Sequence, residues 1–231
     1  MPENENRHTL GSFDNALNAL RSNVFMMASL TERGMNNAVR GLFERDDDLC
    51  NIAIADDEEI DLLEMQIDRD GVDIMLRFQP VAEDLRQVVS SMKISVNLER
   101  IADQSVTIAR RARKLNQQPV ISEIHFLDPM FSMALSMYSD ALKAFADRNM
   151  ELAKTIKPRD KELDVLNHDI TDQFTDCIQN HPGAVREYMN LIFIARSIER
   201  IGDHATNIAE DAFYAITAED IRHNQAASTA S

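Results

Sequence analysis

Residues 197–212 read SIERIGDHATNIAEDA, and residues 97–112 read NLERIADQSVTIARRA. Glu, Arg, Ile, Asp, Ile, Ala and Ala recur at matching places. In the later copy Leu191, Ile194, Ile198, Ile201, Ala205, Ile208 and Ala212 step by threes and fours. That spacing predicts a helix with one apolar seam. The earlier copy keeps the register with Ile94, Leu98, Ile101, Ser105, Ile108 and Ala112.

A second block repeats upstream. DEEIDLLEMQI at 57–67 matches DKELDVLNHDI at 160–170, and AVRGLFER at 38–45 lies opposite ALKAFADR at 141–148. The chain therefore reads as two copies of one helical unit, and an internal repeat outranks any local assignment. Helical stretches are expected near 10–45, 47–78 and 81–116, then near 124–149, 151–180 and 183–217. Pro80 and Pro182 mark where the second helix of each copy ends and the third begins. NQQPVIS at 116–122 reads as the linker. The expectation is an all-α protein of two pseudo-symmetric three-helix bundles, one over 1–117 and one over 118–231 with a flexible C-terminal tail.

Composition agrees. Of 231 residues 44% are hydrophobic, with six Gly, six Pro and no Trp. Such poverty in turn formers favours helices. The net charge of −15 argues against nucleic acid, which needs a basic face, and suits cations. Cys50 and Cys177 show no metal spacing or disulfide framework, and read as reduced thiols of a cytoplasmic protein. The N-terminal MPENENRHTL has no signal-peptide pattern. No apolar run is long enough to span a bilayer, so a membrane is reached only through partners.

The carboxylates carry the chemistry. Glu199 and Asp203 stand four apart, hence on one helix face, and so do Glu99 and Asp103. Both pairs flank the seam rather than lie in it. Asp57 with Asp61, and Asp160 with Asp164, are spaced the same way. Each copy thus bears two acidic pairs on two helices. A like-charge pair costs an isolated helix about 0.2–0.5 kcal/mol; a multivalent cation removes that cost, because carboxylate oxygens are its ligands. Solvated surface acids are the competing reading for any one pair, and recurrence in both copies argues for the cation. His204, beside Asp203, offers a nitrogen that would favour zinc or iron. Asn207 and Glu210 are peripheral candidates, while Arg100 and Arg200 suit pairing with nearby acids.

SIERIGDHATNIAEDAFY at 197–214, with DIRH at 220–223, closely resembles the C-terminal signature of the PhoU family of phosphate-uptake regulators. QPVAEDLRQVV at 79–89 with LERIAD at 98–103 resembles the matching segment of that family's first repeat. The resemblance implies paired three-helix bundles whose E/DxxxD motifs hold metal clusters. On this chain those motifs fall on Asp57, Asp61, Glu99 and Asp103, then on Asp160, Asp164, Glu199 and Asp203. It implies a cytoplasmic, non-catalytic regulator that restrains the phosphate ABC transporter and its sensor histidine kinase when phosphate is plentiful. Iron, zinc, manganese and magnesium are the candidate ions. A plate of long helices also offers surfaces for a homodimer. The copies differ in that Gly202 and His204 are replaced by Ala102 and Gln104 in the first, so tighter metal binding is expected in the second.

Two readings compete. A carboxylate-bridged metalloenzyme would need a Glu-x-x-His motif on each of two facing helices, and the sequence lacks that pair. A metal-free helical adaptor would use the same acids only as solvated charge. Phosphate-cradling and hydrolase motifs are missing. Met26, Met27, Met75, Met92, Met130, Met133 and Met137 fit core packing.

Overall fold

A computed structural model describes residues 3–219, with side chains from residue 11; DIRH and the expected tail lie outside the described residues. The first bundle comprises α1 (Glu3–Phe43), α2 (Asp47–Phe78) and α3 (Ala82–Asn116). The second comprises α4 (Asp128–Ala146), α5 (Met150–Lys154), α6 (Ile156–Asn180) and α7 (Val185–Thr217). A short 3₁₀ turn at Ser122–Leu127 leads from the first bundle into the second, another at Pro182–Ala184 joins α6 to α7, and the described residues contain no strand.

The turn into the second helix is itself repeated. Arg45 takes a left-handed φ of 57° and Arg148 one of 54°. The next residue caps the helix in each case. Asp46 Oδ1 accepts from the amides of Asp48 at 2.8 Å and Leu49 at 3.2 Å; Asn149 Oδ1 accepts from Leu152 at 3.0 Å. Short acceptor side chains are what an N-terminal cap requires.

The second copy departs from the expected continuous helix over 151–180. Its first turn is split off as α5, and α6 starts after Thr155. Pro158 is the cause, since it has no amide to donate to Lys154 and its ring crowds that carbonyl. The first copy has Ala55 and Asp56 in this region and runs unbroken. Before Pro80, α2 ends on a left-handed Gln79 with φ 48°.

The repeated seam is the core. Ile94, Leu98, Ile101, Ile108, Leu191, Ile194, Ile198, Ile201 and Ile208 are all buried. α3 packs on α1 and α2, α7 packs on α4 and α6, and α3 and α7 pack on each other. They run antiparallel: Arg86 Nε donates to Ala215 O at 3.4 Å, Asn97 Oδ1 meets His204 Nδ1 at 3.0 Å, and Arg111 Nη1 donates to Asn190 Oδ1 at 3.0 Å. Met27, Met130 and Met137 are core residues as expected, and Met75, Met92 and Met133 pack against the core. Met26 is a correction: it is 54% exposed, because it follows one position before Met27 and so points off the seam.

Three glycines stand at close contacts between elements, Gly41 against Cys50, Gly71 against Met92 and Gly202 against Leu163. A Cβ at Gly202 would stand 2.3 Å from Leu163 Cδ2, and one at Gly71 would stand 2.4 Å from Met92 Sδ. Leu163 is fully buried, whereas Met92 is a flexible, partly exposed side chain. Gly202→Ala should therefore destabilise by about 1–3 kcal/mol through overpacking. Gly71→Ala should be close to neutral, because Met92 can move and Ala gains about 1 kcal/mol in helix propensity. Urea denaturation of the two variants checks this, the midpoint falling clearly only for Gly202→Ala.

Candidate metal centres in the two helix grooves

The close approach at Gly202 lays α6 against α7 and brings their acids into one groove. Asp164 from α6, with Glu199 and Asp203 from α7, place one carboxylate oxygen each within 4.8 Å of one another. Asp160 lies one turn away, beside Gly202. Beyond it Glu210 is paired with Lys157 at 2.9 Å. Asn167 lines the same cleft, and its Oδ1 is buried without a hydrogen-bond partner. Among the described residues this trio is the group whose ligand atoms already fit a single ion.

The first copy holds Asp57 and Asp61 on α2 opposite Glu99 and Asp103 on α3. Arg100 partly neutralises it, with Nε 3.3 Å from Glu99 Oε2 and Nη1 3.5 Å from Asp103 Oδ2. Glu99 Oε2 is nonetheless buried and accepts no hydrogen bond. Glu64 belongs to this group as well: its charge acts on Glu99, and Asp61 and Arg100 act on it in turn. Glu64 and Asn167 were missed in the sequence reading. Each stands three residues after an assigned Asp, hence on the same helix face, and they occupy equivalent places in the two copies.

Asp61, Asp164 and Asp203 are exposed as expected, and the other acids are less outward-facing. Glu99 has a side chain only 16% exposed, and Asp57, Asp103, Asp160 and Glu199 are partly buried. Burial first, then the neighbouring Asp103, pushes the Glu99 carboxyl up to about 7 against the pull of Arg100. Burial, then Asp203 and Asp164, pushes Asp160 up to about 6. Asp57, Glu199 and Asp203 are raised by burial and by adjacent carboxylates, and Glu64 is raised chiefly by burial. Ionised together, these groups carry a desolvation and repulsion cost that a bound cation offsets.

His204 does not join the group. Its Nδ1 meets Asn97 Oδ1 at 3.0 Å across the α3–α7 seam, about one helical step from the face that carries Asp203. The donor set in the α6–α7 groove is therefore oxygen, which suits hard cations. The ordering expected between the two sites then rests on Gly202 and the closeness it permits, not on a nitrogen ligand. Asn207 is exposed.

The molecule is thus a tandem repeat of three-helix bundles with a carboxylate-lined groove in each copy. Comparison with known proteins matches the "PhoU domain" model to residues 24–112 and again to 127–212. The chain belongs to the PhoU family. It is 34% identical, over 93% of its length and 90% of the relative's, to the phosphate-specific transport system accessory protein PhoU homolog of Zymomonas mobilis. It is 33% identical over 95% of its length, and 91% of the relative's, to the Escherichia coli phosphate-specific transport system accessory protein PhoU. The crystal structure of PhoU from Pseudomonas aeruginosa superposes with a TM-score of 0.87 at 33% identity, covering 90% of this chain and all of that one.

The raised carboxyls give stability a defined pH dependence. An unfolded Glu titrates near 4.5, while Glu99 in the fold titrates at about 7. Between those values the folded chain holds more protons, so stability falls as pH rises through the window. Glu99→Gln removes this term. In metal-free buffer at pH 8 it should raise the melting temperature by about 2–4 °C, the effect of ~1 kcal/mol on a chain of this size. The difference should vanish below pH 4.5, as read by thermal denaturation across pH.

Proposed function

We propose that this protein is a non-catalytic accessory regulator of phosphate uptake. It docks on the ATPase of the phosphate ABC transporter and on the associated sensor histidine kinase, and restrains both when phosphate is plentiful. It acts in the cytoplasm, as a homodimer, and meets the membrane only through those partners. The observation that carries the reading is the near full-length likeness, over both repeats, to relatives named phosphate-specific transport system accessory proteins. No helix among the described residues is long and apolar enough to cross a membrane, which agrees with action through partners.

In this reading Asp160, Asp164, Glu199 and Asp203 hold one metal centre, and Asp57, Asp61, Glu99 and Asp103 hold the other. The oxygen donors and the 4.8 Å grouping of three of them fit magnesium, manganese or iron, and zinc more weakly. A bound ion supplies charge that fixes the distance between the second and third helices of each copy. The Arg100 pairing favours a metal-free adaptor reading for the first groove alone, since a cation there has to displace the guanidinium.

Signalling then becomes a shift in which partner state is favoured, limited by the difference in affinity for those states. The test is a reporter of the phosphate-starvation regulon in cells lacking the protein. Loss should switch the reporter on in phosphate-rich medium, and the wild-type chain should silence it again. A reporter that stays silent without the protein overturns the regulatory reading. Titration calorimetry with manganese checks the metal centres separately: Glu199→Gln with Asp203→Asn should remove one binding step and leave the other, with the helical circular-dichroism spectrum unchanged.

A further inference from the structure

The outer face of α2 carries an apolar row that the fold does not use. Leu62, Met65, Val72 and Leu76 are 58%, 45%, 41% and 73% exposed. Their spacings of three, seven and four residues keep them on one stripe about 21 Å long at 1.5 Å per residue. Arg69 interrupts the row at its middle. Single exposed apolar residues on a surface need no explanation; a row in helical register does.

The second repeat shows that the architecture does not demand it. The equivalent positions on α6 are Val165, His168, Thr175 and Gln179, all exposed and mostly polar. The α2 row is thus a property of one copy, on a helix whose inward face is already fully used by Ile60, Ile67 and Ile74.

The flanks say what covers it. On the side toward α3 stand Asp61 and Asp68, on the side toward α1 stands Glu59, and the exposed Glu58 lies one turn before Leu62 on the stripe itself. Arg69 and Arg77 are the bases of α2, and Arg77 is committed to Asp73 at 2.7 Å. Two α2 helices laid together would bring two net-negative faces into contact, which works against a second copy. The same acids repel an anionic lipid surface.

We propose that the outer face of α2 is a docking groove for an amphipathic helix of a partner protein, with an apolar seam flanked by Lys or Arg. The stripe supplies the ridge against which that seam packs. The acidic rims fix its orientation and speed its encounter.

The test uses the full chain and a labelled synthetic helix of about 21 residues, with Leu at the seam positions and Lys at the flanks. A second peptide carries Glu in place of every Lys. Fluorescence anisotropy should show saturable binding of the Lys peptide that weakens with salt, and none of the Glu peptide. Leu62→Gln with Leu76→Gln, at exposed positions that leave the helical spectrum intact, should weaken it about tenfold. The proposal is overturned if the Lys peptide does not bind, or if the double variant binds it as well as the wild type. It is also overturned if sedimentation shows a dimer that the double variant abolishes, or if the wild type but not the variant binds phosphatidylglycerol vesicles.

Discussion

Everything in this molecule hangs on the antiparallel packing of α3 against α7. Each of these helices must satisfy two neighbours, the other helices of its own bundle and its counterpart in the other copy. A seam of Ile and Leu, buried to the last atom at Ile94, Leu98, Ile101, Ile194, Ile201 and Ile208 within a percent or so, meets both demands. Burial on this scale, at roughly 25 cal/mol per Å² of apolar surface, is the main favourable term in folding. It fixes the rotation of both helices about their axes. Once that rotation is set, Glu99 and Asp103, and Glu199 and Asp203, have nowhere to point but the grooves toward α2 and α6. The carboxylate groups are a consequence of the seam.

Most of this was legible in the sequence because repetition and periodicity are strong signals. The two ERI-x-D segments fixed the third helix of each bundle, and the paired Asp-x-x-x-Asp blocks fixed the second. The groove acids followed from four-residue spacing, its recurrence in both copies and the family resemblance. What escaped was whatever depends on the third dimension. His204 looked like a ligand because it adjoins Asp203, yet a step of one residue turns a side chain by about 100°, and Asn97 awaits it across the seam. Glu64 and Asn167 sit outside the recognised motif and gained meaning only when the groove closed around them. The break at Thr155 follows from Pro158, a residue with no counterpart in the first copy and so outside what the repeat conveys.

The two copies have diverged in how they treat the same electrostatic problem. The first carries an additional acid in Glu64 and answers with Arg100, which reaches both Glu99 and Asp103. The second replaces Glu64 by Asn167, packs Gly202 directly against Leu163, sets Arg196 and Arg200 where they act on Glu199 and Asp203, and places Lys157 on Glu210. One groove is richer in charge and partly self-neutralised, and the other is poorer in charge and better organised. In both grooves burial is the largest cause of the raised carboxyls, with Glu99 pushed up to about 7 and Asp160 to about 6.

The α3–α7 contacts also map onto themselves. Exchanging each residue for its equivalent in the other copy turns the Lys93–Asp211 contact into the place where Arg111 covers the Phe193 ring, 4.1 Å from its centroid. An interface that is carried onto itself by such an exchange is isologous, the kind a twofold homodimer makes. Here the two three-helix units meet through that face as the two halves of a twofold pair do. Covalent fusion through residues 117–121 makes that association intramolecular. It also frees the halves to differ, since a change on one side of the axis is no longer copied to the other.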